Sequence, residues 1–73
     1  TPIYTVYEMC KNNKCVLIHL TQKNYFITGV LIGFDEYFNV ILKDAVKETQ
    51  TEKIPMGKLL LKGENIAMIS CNE

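Results

Sequence analysis

From Cys15 onward the chain consists of five short apolar runs with almost no room between them. They are CVLIHLT (15–21), YFITGVLIGFD (25–35), FNVILKDAV (38–46), IPMGKLLLKG (54–63) and NIAMISC (65–71). Each is rich in Ile, Val, Leu or aromatic residues, the composition of half-buried strands. The polar stretches between them, TQKN and DEY among them, are too short for crossover helices, so successive strands are expected to pair as an antiparallel meander. The longest polar stretch, KETQTEK (47–53), reads as an exposed variable loop between the third and fourth strands. Gly29 inside the second run and Gly33 near its end weaken a flat ladder but permit a sharp bend. The expected fold is therefore mainly β, a strongly bent five-stranded antiparallel sheet close to a small barrel.

Before the strands, Thr1 is placed to cap a helix whose first position is Pro2. Ile3, Val6, Tyr7 and Cys10 follow at helical spacing. This predicts a short amphipathic helix over about 2–12. With 73 residues the chain is one domain, residues 1–73, with no repeat and no low-complexity segment. A domain of this size buries only about 60% of the surface its unfolded chain exposes. Its last two runs, KLLLKG and NIAMISC, are apolar strands guarded only by Lys58 and Lys62. Both points predict that neighbouring chains complete the protomer, strand added to strand.

Composition narrows the function. Eight Lys balance eight acidic residues, and the pI is near 6.5, so the broad basic field of a duplex binder is missing and any nucleic-acid contact must be local. No run approaches the roughly 18 apolar residues of a membrane span, and the start lacks the build of a signal peptide. Three Cys cannot pair completely within the chain, which points to a reducing compartment. Cys10, Cys15, His19 and Cys71 match none of the usual zinc-ligand spacings, and His19 lies within a strand with no activated nucleophile nearby. Asp35 and Glu36 are adjacent, so on a strand they face opposite ways. No metal, no cofactor and no enzymatic activity are expected.

Two short segments stand apart from this background. Phe34-Asp35-Glu36-Tyr37-Phe38-Asn39 sets an aromatic ring and a carboxamide at a strand junction, and Leu61-Lys62-Gly63-Glu64-Asn65 sets a cation beside a glycine turn. Singly, Tyr37 reads as a half-buried loop aromatic, Asn39 as a turn former and Lys62 as a solvated charge. Together they supply a ring to stack on a base, an amide to read its Watson–Crick edge and a cation for carbonyl or phosphate. Uracil, with one imide donor between two carbonyls, suits an Asn that both donates and accepts. Single-stranded, uridine-rich RNA is the expected ligand, with Asp35 supporting the loop.

At this point the residues resemble a known family. ITGVLIGFDEYFNVILKDA (27–45) is similar to the first Sm motif of the Sm and Sm-like proteins, and MGKLLLKGENIAMIS (56–70) to the second, with a variable loop between them. The resemblance implies a bent five-stranded Sm-fold barrel after a short helix, in a seven-membered ring of different Sm proteins joined fourth strand to fifth. It implies neighbours similar to Sm proteins F and G, and a ring enclosing the uridine-rich Sm site of spliceosomal small nuclear RNAs. By motif position Tyr37 takes the stacking place, Asn39 the uracil-reading place, and Lys62 with Gly63 the cationic turn. The implied role is ribonucleoprotein assembly for pre-mRNA splicing in the nucleus, after assembly in the cytoplasm. Two alternatives stay open: a Sm-like ring binding oligouridylate RNA in mRNA decay, and a protein-only β-barrel scaffold in which Tyr37 and Lys62 serve an interface.

Overall fold

A computed structural model describes Thr5, Glu8 and residues 10–71. Of the expected N-terminal helix, Thr5, Glu8, Cys10 and Lys11 are helical, whereas Thr1, Pro2, Ile3, Val6 and Tyr7 lie outside the described residues. The helical turn ends where Asn13 takes a left-handed conformation (φ 52°), with its N–H donating to the Cys10 carbonyl at 3.1 Å. Asn tolerates that conformation better than most residues.

Five strands follow: β1 (Cys15–Leu20), β2 (Phe26–Phe34), β3 (Val40–Glu48), β4 (Lys53–Leu61) and β5 (Ile66–Cys71), with one 3₁₀ turn at Gly63–Asn65. They form a single antiparallel sheet in the order β4-β3-β2-β1-β5. The first four strands follow the expected meander. β5 departs from it by pairing with β1, Ile18 opposite Ile69, instead of with β4. The bend is the physical reason. The register of β2 on β3 shifts between Thr28 and Val30 and again between Leu31 and Gly33, and that of β3 on β4 shifts on both sides of Ala45. Asp44 (φ 52°) and Gly57 (φ 68°) take left-handed conformations in the same belt. Bulges sharpen twist and bend the strand that carries them. The sheet therefore curls until the turn after β4 delivers β5 to the far edge, beside β1.

Gly29 is required by that curl. A Cβ there would stand 3.2 Å from Ala45 Cα and from the Lys43 carbonyl oxygen, and 3.3 Å from Leu42 Cβ. Inside the curve, Val16, Ile18, Ile27, Leu31, Val40, Leu42, Ala45 and Ile69 form the buried core. Alternation along β1 sends Val16 and Ile18 inward and leaves His19 on the outside, its ring 5.9 Å from that of its cross-strand partner Phe26.

The loop expected over 47–53 is shorter, spanning only residues 49–52. Lys47, Glu48 and Lys53 belong to the strands because each has a strand-compatible place for its charge. Lys47 Nζ lies 4.2 Å from the centroid of the Tyr25 ring, Glu48 accepts from Thr28 Oγ1 at 3.1 Å, and Lys53 Nζ stands 4.0 Å from Glu48. The turn itself is closed by Thr49, whose N–H donates to the Glu52 carbonyl at 2.9 Å and whose Oγ1 accepts from the Glu52 N–H at 3.0 Å.

Candidate RNA-binding site

The two segments singled out in the sequence lie 24 positions apart and are joined by one side chain. Asn39 Oδ1 accepts a hydrogen bond from the Gly63 N–H at 2.8 Å, while its Nδ2 donates to Asp35 Oδ2 at 2.9 Å. Asp35 Oδ1 accepts from the backbone N–H of Tyr37 at 2.8 Å and of Asn39 at 3.1 Å. The backbone closes the same loop, with the Asp35 N–H donating to the Asn39 carbonyl and the Phe38 N–H to the Asp35 carbonyl, both at 3.1 Å. Asp35 is the hub of the loop and Asn39 the bolt to its neighbour.

The electrostatics follow from these contacts. The hydrogen bond from the Asn39 amide holds the Asp35 carboxyl below its usual value of 3.8, against an opposing effect of desolvation and with help from the Tyr37 and Asn39 backbone N–H groups. Asp35 is therefore ionised at neutral pH. A carboxamide has two donor hydrogens and two acceptor lone pairs. After Asp35 and Gly63 have each taken one, Asn39 retains one donor hydrogen and one lone pair, the pair of functions that the imide edge of uracil requires.

Tyr37 projects from the loop with 72% of its surface exposed, although its backbone N–H is fixed. Lys62 precedes Gly63 in extended conformation (φ −77°, ψ 135°), is exposed, and makes no ion pair among the described residues. Gly63 fits where no other residue does. A Cβ there would run into the Tyr37 carbonyl oxygen and stand 2.9 Å from both the carbonyl carbon and oxygen of Phe38. Tyr37, Asn39, Lys62, Gly63 and Asp35 thus belong to two loops that touch.

Two features of the site escaped the sequence reading. Phe38 takes φ 61°, a left-handed conformation unusual for a bulky aromatic residue, and its carbonyl lies against Gly63. No residue type at that position signals it. A cleft of about 460 Å³ opens beside the loops, lined by Tyr37, Phe38, Gly63 and Glu64 and then by Ile66, Ala67, Met68 and Ile69 of β5. Four of its lining residues are consecutive along β5, the strand at one end of the sheet. Among the described residues no three His, Cys, Asp or Glu side chains come together as a metal site, and no helix is long and apolar enough to cross a membrane.

Comparison with known proteins places the chain in a family. The LSM domain model matches residues 9–71. The small nuclear ribonucleoprotein E of Schizosaccharomyces pombe is 36% identical over 70 residues, covering 93% of this chain and 83% of that protein. The LSM complex subunit LSM5 of Saccharomyces cerevisiae is 44% identical over 66 residues, covering 78% and 70% respectively. Among solved structures, the Pyrococcus abyssii Sm protein in complex with a uridine heptamer superposes with a TM-score of 0.87 at 32% identity, covering 99% of each chain. The fold, both motifs and the extent of the match agree, and the chain belongs to the LSM-domain family of Sm and Sm-like proteins.

Proposed function

We propose that this chain is the E-type protomer of a seven-membered ring of different Sm proteins that grips single-stranded, uridine-rich Sm sites of spliceosomal small nuclear RNAs. The observation that carries the reading is the Asn39 bolt, which holds the amide beside an exposed Tyr37 ring and next to Lys62-Gly63. In this role the Tyr37 ring stacks on a uracil, Asn39 reads its imide edge, and Lys62 contributes a cation. The similarity to ribonucleoprotein E proteins and to a uridine-bound Sm protein supports the reading. Neighbours resembling Sm proteins F and G complete the edges of β4 and β5. The ring then serves pre-mRNA splicing in the nucleus, after assembly in the cytoplasm.

Magnitudes favour a ring over a lone binder. Stacking contributes about 1–3 kcal/mol per base, a charge-assisted hydrogen bond about 1.5–3 kcal/mol, and association costs about 4–15 kcal/mol. One protomer therefore holds RNA weakly, and linked sites make each later nucleotide an effectively intramolecular event.

The test is replacement of Tyr37 and Lys62 by Ala within the ring co-expressed with F-like and G-like partners. Assembly should survive while uridine crosslinking to this protomer is lost. Loss of assembly, with no uridine crosslinking to this protomer in the unmutated ring, would instead support a protein-only scaffold. A second reading, a Sm-like ring subunit binding oligouridylate in mRNA decay, is favoured by the 44% identity to LSM5. Sequencing the RNA that copurifies separates the two: internal Sm sites of small nuclear RNAs support the first, and terminal oligouridylate tracts the second.

A further inference from the structure

The outer edge of β4 is not uniform along its nine residues. Hydrogen bonding in an antiparallel pair alternates, each bonded pair being followed by one whose N–H and C=O groups point away from the partner strand. The Thr49 N–H to Glu52 carbonyl bond closes the hairpin as a bonded pair. Counting down the register, Glu48 opposite Lys53 is then non-bonded, Lys47 opposite Ile54 bonded, and Val46 opposite Pro55 non-bonded. That assignment is the one Pro55 can accept, since proline has no N–H to give β3. Its consequence faces outward: at Pro55 the free edge lacks the donor that an added strand needs.

Two residues on, Gly57 takes φ 68°, and the register with β3 is broken on both sides of Ala45. The edge therefore changes direction immediately after its missing donor. Beyond this point Leu59, Leu60 and Leu61 run in continuous register opposite Leu42, Ile41 and Val40. Leu59 and Leu61 are half-buried against the core, whereas Leu60 leaves 60% of its surface to solvent.

We propose that Pro55 and Gly57 act as a stop on the β4 edge, confining strand addition to Lys58–Leu61 and leaving the outer edge of residues 53–56 unpaired in the assembled ring. The occupant of the short segment is the free β5-type edge of a neighbouring Sm-type protomer, and in this the inference rests on the proposed ring. Proline on an edge strand and a bulge that turns the edge away are devices by which sheets limit edge-to-edge pairing. Here they set where pairing ends, so that the apolar arm carrying Ile54 and Met56, 36% and 42% exposed, does not recruit a further chain.

Hydrogen exchange tests this on the chain alone and in its complex with the F-like and G-like proteins, read residue by residue. The expected result is that assembly slows exchange by roughly tenfold or more at the outward-facing amides of 58–61, with no change over 53–57. Slowed exchange at Lys53 as well, whose N–H faces outward in that register, would overturn the stop while leaving the ring intact. A failure to form any complex, with no slowing anywhere, would overturn the ring on which the inference rests. Pro55→Val restores the missing outward N–H. It should bring protection to the new amide at position 55 and to that of Lys53, and promote self-association of the isolated chain; unchanged exchange and association in this variant would count against Pro55 as the determinant.

Discussion

Asp35 organises the loop through three accepted hydrogen bonds, although it is fully exposed to water. Its folded-state pKa lies below the unfolded value, so the ordering it provides is fully present above the ordinary carboxylate range and is lost as pH falls through the depressed pKa. The expected titration midpoint of its carboxyl, followed by NMR, is below 3.8, with the Tyr37 and Asn39 amide shifts moving in step. Asp35→Ala should leave the chain folded and reduce uridine crosslinking through Tyr37, because an exposed group contributes little to global stability. Gly63→Ala is the harsher change. Its Cβ meets backbone on two residues and cannot be relieved by a rotamer, so a loss of about 1–3 kcal/mol is expected in urea unfolding, together with loss of crosslinking. That these two segments are turns was legible in the sequence, because Asp, Asn and Gly favour them. The bolt was not legible: that Asn39 spends one acceptor on Gly63 depends on a close approach between loops 24 positions apart, and no local pattern encodes it.

At the scale of the elements, the five apolar runs became five strands because each carries enough β-branched and aromatic residues to line one face of a sheet. Their ends were harder to place. Lys47, Glu48 and Lys53 looked like loop residues by composition, yet an aromatic face, a threonine hydroxyl and a cross-strand charge make a strand position tolerable. The pairing of β5 with β1 was illegible for a different reason. It follows from the summed bend of several bulges, and the sequence shows only the glycines that permit them. Gly29 is the residue on which that bend turns. Gly29→Val forces a branched side chain against Ala45 Cα and the Lys43 carbonyl, where backbone and not a flexible side-chain tip must move. We expect a loss of about 1–3 kcal/mol in chemical denaturation with the same change in ring formation as in stability. Gly33→Val, where a Cβ meets only the tip of Ile41 at 3.9 Å, should be the milder control.

At the scale of the whole molecule, a small core and two free edges belong together. Among the described residues eight apolar side chains make up the buried core, while Leu60 on β4 and Met68 on β5 remain half or more exposed at the edges. An apolar side chain already in water in the isolated protomer contributes little to its folding, so replacing Leu60 should move stability by no more than about 0.5 kcal/mol. The same replacement acts differently once a neighbour covers the edge. A carboxylate at that position must then be desolvated without a partner, and a buried unpaired charge costs several kcal/mol. Leu60→Glu should therefore leave the thermal unfolding of the isolated chain nearly unchanged and abolish the stoichiometric complex with F-like and G-like partners in native mass spectrometry. Leu60→Met, which keeps an apolar side chain of similar volume, should restore it. If Leu60→Glu instead assembles normally, the β4 edge is not where the neighbour sits, and the need of this short chain for a partner must be met at the cleft along β5 alone.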